Sequence, residues 1–359
     1  MRIALDARDL AAHPTGVGRY LGEIVRAWAD LPDARAHELI LCAPGPVHVP
    51  GADRLQLSTR VAPGHGLAWE QLTLPRLVRE ARADVLFAPG YSAPLLLRTP
   101  VVLTIHDVSY AAHPEWFRWK EGLRLRTLSR LSARRAARVL TDSEFSRREI
   151  QDHFGLPADR LRVIPLGVNR FPDVPPSPTP QPSCPEVLYV GSIFNRRHVP
   201  DLMAGFAGVA RRHVDARLTI VGANRTYPWQ DIAALATAAG GQVTVADYAP
   251  DAALAGLYAR ARAFAFLSDY EGFGLTPLEA LACGVPIVVL DTPVAREVYG
   301  EAAIYVATPE PARITAALEQ ALFDDDARHR VLSAAVAVLH RYSWKRCAEQ
   351  TLQALVEAV

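Results

Sequence analysis

Short apolar runs alternate with longer amphipathic stretches along the chain. In the first 168 residues, helix-length stretches separate runs rich in Val, Ile and Leu, which lie at 38–42, 85–87, 101–105 and 139–140. A second series of such runs lies at 187–190, 218–221, 243–245, 263–267 and 287–290. This alternation is typical of βαβ units, which build a parallel sheet with helices on its faces. The pattern therefore predicts two similar α/β halves, one after the other.

A proline-rich stretch separates the two halves. Seven prolines lie between residues 172 and 185. Because proline lacks the backbone N–H and fixes φ, this composition favours an extended, semi-rigid linker. We therefore predict a first domain at 1–170, a linker at 171–185 and a second domain at 186–341. The remaining residues, 342–359, have the pattern of an amphipathic helix capped at Ser343.

Composition narrows the class of protein. Half of the 359 residues are hydrophobic, which is enough for two cores, and the net charge of +1 gives no general attraction to nucleic acid. No run of 18 apolar residues occurs, and the N-terminus has no signal-peptide organisation, so we expect a cytoplasmic protein. The four cysteines show no metal-ligand spacing.

The stretch from residue 269 to 286 combines two ionisable side chains with a strand-to-helix junction. Glu271 and Glu279 lie on either side of a glycine-containing turn, directly after an apolar run. Thr276 is a favourable N-cap, Pro277 suits the first helical position, and Glu279 then falls at the third. The pattern predicts a helix that begins at this turn.

The strand-to-helix junction at residues 269–286 could bind a ligand. The amides of residues 272–275, together with the positive end of the helix, can hold an anion or sugar hydroxyls. Ionised glutamates only accept hydrogen bonds, so they suit the hydroxyls of a sugar or ribose better than they suit phosphate. The local pattern is equally compatible with Glu279 closing a capping box while Glu271 is solvated.

The whole string, through the Cys-Gly-Val-Pro at 283–286, resembles the E-x7-E signature of retaining glycosyltransferases of family 4. The resemblance covers nearly the whole chain. It implies the GT-B fold, in which two Rossmann-like doubly wound parallel-sheet domains face an interdomain cleft. It also implies that residues 342–359 pack back on the N-terminal domain. For donor binding it implies roles for Phe273, Gly274, Leu275 and, on the ribose, Glu279.

Two glycines follow the first apolar run. Gly16 and Gly18 partly match a dinucleotide-binding fingerprint, but the third glycine, Gly22, comes one place late. NAD binding is therefore a weak alternative, and a simple tight turn is another. The resemblance implies that Gly16 and Gly18 meet the donor diphosphate and the acceptor.

Further candidates follow other strands. Arg196 and Arg197 can hold a diphosphate and neutralise the charge that grows on it, although paired arginines are also common on solvated surfaces. In the family an Arg-Lys pair stands here, so Arg197 replaces a lysine. A lone histidine is often structural, but the resemblance places His106 near the donor sugar. It also makes Glu297 a candidate for the nucleotide end.

Two further sets of candidates concern the acceptor and the membrane. His65 and Trp69 are candidates for an acceptor pocket. Residues 117–138 contain eight basic residues and one acid, interleaved with apolar side chains. This composition suits the surface of an anionic membrane, and a solvated helix is the alternative.

Together these features predict a retaining, metal-independent enzyme without a cofactor. Its donor would be a nucleotide sugar, with mannose from GDP-mannose favoured by a likeness to bacterial polysaccharide mannosyltransferases at Thr15–Tyr20 and His106–Tyr110. The acceptor would be a hydroxyl of a glycan or a lipid-linked glycan, reached in the cytoplasm or at the inner face of the cytoplasmic membrane. The alternatives are a UDP-glucose or other UDP-sugar donor, and a non-catalytic GT-B partner protein that binds a nucleotide sugar.

Overall fold

The apolar runs form two all-parallel sheets, as the pattern predicts. In the computed structural model, which describes residues 1–11, 16–169 and 185–359, the chain divides into two compact units. The N-terminal unit comprises residues 1–114, 119–167 and 342–359, and the C-terminal unit comprises 115–118 and 168–341. Thr15 and all but the last residue of the predicted linker 171–185 lie outside the described residues.

The N-terminal unit is built on seven parallel strands in the order β3-β2-β1-β4-β5-β6-β7. The strands β1, β2, β4 and β5 are almost entirely buried, which explains their continuous apolar runs. The strands are β1 (Arg2–Asp6), β2 (Glu38–Ala43), β3 (Gln56–Val61), β4 (Val85–Ala88), β5 (Val101–Thr104), β6 (Arg138–Thr141) and β7 (Leu161–Val163). The helices that connect them are α1 (Val17–Trp28), α2 (Pro32–Arg35), α3 (Gly66–Ala68), α4 (Leu74–Glu80), α5 (Ser109–Ala112), α6 (Trp119–Arg135) and α7 (Glu144–Phe154).

The C-terminal unit is built on six parallel strands in the order β10-β9-β8-β11-β12-β13. The strands are β8 (Glu186–Val190), β9 (Arg217–Val221), β10 (Val243–Ala246), β11 (Ala263–Phe266), β12 (Ile287–Leu290) and β13 (Ile304–Val306). Its helices are α8 (Val199–Ala210), α9 (Ile232–Ala238), α10 (Asp251–Arg260), α11 (Leu275–Ala282), α12 (Pro293–Tyr299), α13 (Pro311–Phe323) and α14 (Asp325–His340). In both sheets the strand order reverses beside the first strand, which is the place where doubly wound sheets bind ligands.

The last helix, α15 (Trp344–Val356), lies in the N-terminal unit although it follows the C-terminal unit in sequence. It packs on α1, where the indole N–H of the fully buried Trp28 donates to the carbonyl of Ala348 at 2.9 Å. Ser343 is the N-cap residue, as predicted, but its side chain makes no capping hydrogen bond. No helix among the described residues is long and apolar enough to cross a membrane.

Candidate functional site

Two neighbouring strands of the C-terminal unit bring its main candidate residues together. The strands β8 and β11 are adjacent, and the loops after them carry Arg196, Arg197 and Glu271. The amide of Asp269 donates to the carbonyl of Arg196 at 2.9 Å, which joins the two loops through the backbone. Because parallel strands end at the same edge of the sheet, residues far apart in sequence become neighbours at this point.

Arg197 and Glu271 form a bidentate ion pair. Nε of Arg197 lies 2.7 Å from Oε1 of Glu271, and Nη2 lies 2.9 Å from Oε2. Arg197 also donates to the carbonyl of Ser192, and the hydroxyl of Ser268 donates to Oε1 of Glu271. Burial alone would raise the pKa of Glu271, but Arg197 outweighs it and lowers that pKa. Arg197 therefore holds Glu271 ionised and fixed, in addition to any contact it makes with a phosphate.

Arg196 has different surroundings. Its guanidinium lies over the ring of Phe194 at 4.5 Å and within 5.7 Å of the ring centroid of Trp116. Its Nε is buried and has no hydrogen-bond partner among the described residues. Aromatic faces hold a guanidinium without using its hydrogen-bond donors. Among the described residues a carboxylate pairs with Arg197 and none with Arg196, so the guanidinium of Arg196 keeps N–H donors for an added anion.

The helix α11 does not begin as the sequence predicts. Its first residue is Leu275 and its N-cap is Gly274, which has φ +90° and ψ +74°, so the prediction of Thr276 as N-cap is wrong. Proline is still accommodated at 277, because the amides of the first turn have no intrahelical partner. A Cβ at Gly274 would lie 2.1 Å from the hydroxyl of Tyr299, which donates to the Gly274 carbonyl. The glycine therefore sets the start of the helix, directly after the buried Phe273.

Glu279 lies inside the C-terminal unit rather than at the start of the helix. Its side chain is buried, and the hydroxyl of Tyr258 on α10 donates to Oε2 at 3.3 Å. Because α11 begins at Leu275, Glu279 is the fifth helical residue, and the capping-box interpretation is wrong. Glu297 is half-buried on α12, after β12.

In the N-terminal unit, the predicted glycines form the start of α1. Gly16 is the N-cap and has φ +52°. A Cβ at this position would meet no atom within 4 Å, so the conformation rather than crowding favours glycine. Gly18 is buried in the first turn of the helix.

His106 is held on both sides of its ring. Nδ1 lies 2.7 Å from Oδ2 of Asp142, and Nε2 lies 3.0 Å from the carbonyl of Pro89. A carboxylate and a carbonyl both accept hydrogen bonds, so the imidazolium form, with an N–H on each ring nitrogen, satisfies both contacts. Burial alone would lower the pKa of His106, but Asp142 raises it. Asp107, the sequence neighbour, instead caps the next turn by accepting from the amide of Ser109.

The sequence analysis does not predict Asp142 as a site residue, although its position after a buried strand could have indicated it. It follows β6, as His106 follows the adjacent β5, so both residues end at the same edge of the sheet. The same edge holds a second missed cluster, in which Arg8 pairs with both Asp6 and Glu70. Glu70 also accepts from the hydroxyl of Ser92, so this cluster joins the segments that follow β1, β3 and β4.

The two predicted acceptor residues differ in their exposure to solvent. Trp69 is only 2% exposed, and its indole N–H donates to the carbonyl of Ala62 at 2.8 Å. This burial makes Trp69 a core residue with almost no surface open to an acceptor. His65 is exposed and directly precedes α3, so it stays a candidate.

Two family models match the chain, one for each half. The model described as glycosyltransferase family 4 matches residues 14–170, and the model described as glycosyl transferases group 1 matches residues 175–336. O-antigen chain mannosyltransferase B of Escherichia coli is 28% identical to this chain, and the alignment covers 99% of each protein.

Solved structures share the architecture. Sucrose-phosphate synthase from Thermosynechococcus elongatus has a TM-score of 0.78 at 18% identity and covers 99% of this chain and 98% of its own. The Anabaena protein HepE, in complex with UDP and glucose, has a TM-score of 0.75 at 19% identity, with 99% and 100% covered. The fold is GT-B, with two doubly wound parallel sheets. The two family models together span nearly all of the sequence, so the chain is a glycosyltransferase with a family 4 domain in its N-terminal half and a group 1 domain in its C-terminal half.

Proposed function

We propose that this protein is a retaining glycosyltransferase that moves mannose from GDP-mannose to a hydroxyl of a glycan or lipid-linked glycan. The observation that carries the proposal is the cluster of Arg196, Arg197 and Glu271. It combines a cation with unused donor capacity and a carboxylate that is ionised and fixed in place. The full-length similarity to O-antigen chain mannosyltransferase B supports mannose as the sugar.

The C-terminal unit supplies the donor-binding groups in this proposal. Arg196 binds the diphosphate and stabilises the negative charge that develops on it as the glycosidic bond breaks. Glu271 accepts hydrogen bonds from sugar hydroxyls with the lone pairs that Arg197 and Ser268 leave unused. The backbone of Phe273, Gly274 and Leu275 lies near the sugar and phosphate. Glu279 binds the ribose, and Glu297 lies at the nucleotide end.

The N-terminal unit supplies the remaining groups. His106 contacts the donor sugar, and the backbone at Gly16 and Gly18 meets the diphosphate and the acceptor. The acceptor oxygen attacks the anomeric carbon from the face that the phosphate leaves, and the departing phosphate oxygen takes the acceptor proton. Attack on this face retains the anomeric configuration. No metal ion or cofactor takes part.

Donor identity is tested first by a thermal-shift panel. A ligand that binds the native state raises the melting temperature, so GDP and GDP-mannose are compared with UDP, UDP-glucose, ADP and NAD. We expect selective shifts with GDP and GDP-mannose, unchanged by EDTA. The structure of HepE with UDP and glucose makes a UDP-sugar the second candidate, and a UDP-selective shift would replace mannose by it.

Catalysis is tested with the donor that the panel selects. NMR of the product made with a set of glycan acceptors should show the same anomeric configuration as the donor. Binding of a nucleotide sugar without any transfer or hydrolysis would favour the alternative of a non-catalytic partner protein.

We also propose peripheral contact of a cytoplasmic protein with the inner face of the membrane through α6. The buried residues of this helix are small, namely Gly122, Ser129, Ser132 and Ala133. Several of its apolar side chains face solvent: Trp119 is 74% exposed, and Leu123 and Leu131 are also exposed. Exposed arginines beside exposed apolar groups suit an anionic bilayer.

Vesicle co-sedimentation tests the membrane contact. We expect binding to vesicles that contain anionic phospholipid, weaker binding at high salt, and a loss of binding when Arg124, Arg130 and Arg134 are replaced by glutamate. Equal binding to neutral vesicles, or no effect of the three replacements, would contradict the contact.

A further inference from the structure

His198 links the two loops that carry the arginine pair and Glu271. It directly follows the 3-10 turn Asn195–Arg197 and is the N-cap residue of α8. Nδ1 lies 2.9 Å from Oδ2 of Asp201, and Nε2 lies 2.7 Å from Oδ2 of Asp269. Its backbone is left-handed, with φ +47°, a conformation that non-glycine residues adopt at an energetic cost.

The hydrogen bonds define the charge of the ring. Ionised carboxylates only accept hydrogen bonds, so a ring that bonds to one at each nitrogen must donate twice and is an imidazolium. Burial alone would lower the pKa of His198, but the hydrogen bonds to Asp269 and Asp201 outweigh it and raise the pKa.

The other charged groups around His198 do not stabilise its charge. The positive end of α8 disfavours a cation at the N-cap. Arg196 and Arg197 precede it in the same turn, and the charge of Arg197 is balanced by Glu271. Asp201 and Asp269 are thus the groups that keep the ring protonated.

The turn that carries the arginines is fixed at both ends. At its start, Asn195 accepts from the amide of Tyr227 at 2.7 Å and donates to the carbonyl of Pro228 at 3.2 Å. At its end, His198 binds Asp269, whose own amide donates to the carbonyl of Arg196. Arg196 therefore lies between two anchored residues.

We propose that His198 is a positioning residue for donor binding, which as an imidazolium fixes the loop of Arg196 against the loop of Glu271 before the donor arrives. The inference rests on the proposed function, because it takes a nucleoside diphosphate as the ligand. A neutral ring keeps only one N–H, so one carboxylate then faces a lone pair and the link between the loops weakens. Donor affinity therefore falls as the pH rises through the pKa of His198.

Calorimetric titration of GDP and UDP between pH 6.5 and 9 tests this role. In the wild type, Kd should increase on the alkaline side, with a midpoint above the ordinary histidine pKa of about 6.5. His198→Asn keeps a residue that tolerates the left-handed conformation but removes the cation. It should raise Kd about tenfold at pH 6.5, the size of one hydrogen bond to a charged group, and remove the alkaline rise in Kd.

Two further variants test whether the pH dependence comes from His198. Asp201→Asn removes one carboxylate, so the midpoint should move to lower pH. His329→Asn is the matched control, since His329 is an exposed histidine on α14, and it should leave the profile unchanged. The titration of the nucleotide phosphate itself is the same for every variant. The ring nitrogens of His198 are followed directly by NMR, with His198→Asn used to assign their signals.

The outcomes separate this inference from the function on which it rests. An alkaline rise in Kd that persists in His198→Asn overturns the positioning role, and so does an NMR titration at or below the ordinary histidine pKa. Binding of GDP or UDP to the wild type without an alkaline rise in Kd overturns the inference alone. If no nucleoside diphosphate binds at any pH, the proposed function fails as well.

Discussion

Arg196 and Arg197 are neighbours in sequence with different surroundings. Arg197 is bound in two places to Glu271, whereas Nε of Arg196 is buried over an aromatic ring without a hydrogen-bond partner in the described part of the chain. The sequence predicts both as phosphate ligands, because nothing local distinguishes them. The partner that does so lies 74 residues away. A forked guanidinium suits the bidentate contact of Arg197 better than the ammonium of a lysine, which binds as a point charge.

Arg196→Ala should weaken binding of the nucleoside diphosphate with little effect on stability. Loss of charge-assisted hydrogen bonds, at about 1.5–3 kcal/mol each, predicts a rise in Kd of at least about tenfold. Calorimetry with GDP and UDP measures the change. The control is Arg313→Ala, which removes an exposed arginine whose ion pair, with Glu310, lies within its own turn. Equal Kd values for the two variants would argue against a phosphate at Arg196.

Glu271→Ala should destabilise the C-terminal unit as well as abolish transfer. It leaves the largely enclosed Arg197, whose side chain is 13% exposed, without its partner, and loss of one member of a buried pair typically costs about 3–5 kcal/mol. The double variant Arg197→Met/Glu271→Leu should recover most of that loss in urea unfolding but none of the transfer. An unchanged midpoint in Glu271→Ala would show that the pair contributes nothing to stability.

The ion pair of Arg197 and Glu271 determines the direction in which the free energy of unfolding changes with pH. Because Arg197 lowers the pKa of Glu271 in the folded protein, the stabilisation is present above the unfolded pKa of about 4.3. It is lost as the pH falls through the lower folded pKa, and the double variant should lack this component.

At the scale of elements, buried strands were predictable and junctions were not. The runs at 85–87 and 287–290 match β4 and β12 closely, since both faces of a buried parallel strand are apolar. The strand β3 was missed because it is an edge strand with mostly exposed polar residues. The start of α11 was misplaced because local capping rules favour Thr276, whereas a contact with Tyr299, 25 residues away, requires glycine at 274.

Gly274→Ala should destabilise the protein for two separable reasons. A left-handed alanine costs about 1–2 kcal/mol, and its Cβ would also overlap the hydroxyl of Tyr299. Adding Tyr299→Phe removes that hydroxyl, so the double variant should recover the steric part only. Tyr299→Phe alone should cost about 1 kcal/mol for the lost hydrogen bond. Strictly additive free energies of unfolding in this cycle would contradict the contact.

At the scale of the whole molecule, the two units are not continuous in sequence, because α15 follows the C-terminal unit but belongs to the N-terminal unit. The alternation of runs predicted two halves, but amphipathic periodicity alone did not show which unit holds α15. That expectation came from the family resemblance. In the structure the contact depends on α1, where Trp28 donates to the carbonyl of Ala348. A pairing between residues 320 apart in sequence leaves no local pattern.

A fragment of residues 1–169 should be less stable than the same fragment joined to 342–359 through a flexible linker. Without α15, the apolar face of α1 around Trp28 is exposed to water. Thermal unfolding compares the two fragments, and Trp28→Phe in the longer one should lower stability by about 1 kcal/mol through the lost hydrogen bond. Identical melting temperatures for the two fragments would show that α15 is not needed for the fold of this unit.

The position of α15 in the N-terminal unit also affects how the chain folds during synthesis on the ribosome. Domains generally fold as they emerge, the N-terminal one first. Here the N-terminal unit emerges without a helix that follows the whole C-terminal unit in sequence, so its core around Trp28 stays incomplete while the C-terminal unit is made. The nascent chain can complete its second unit before its first. A chain that terminates early therefore carries an exposed apolar surface, which chaperones and proteases recognise.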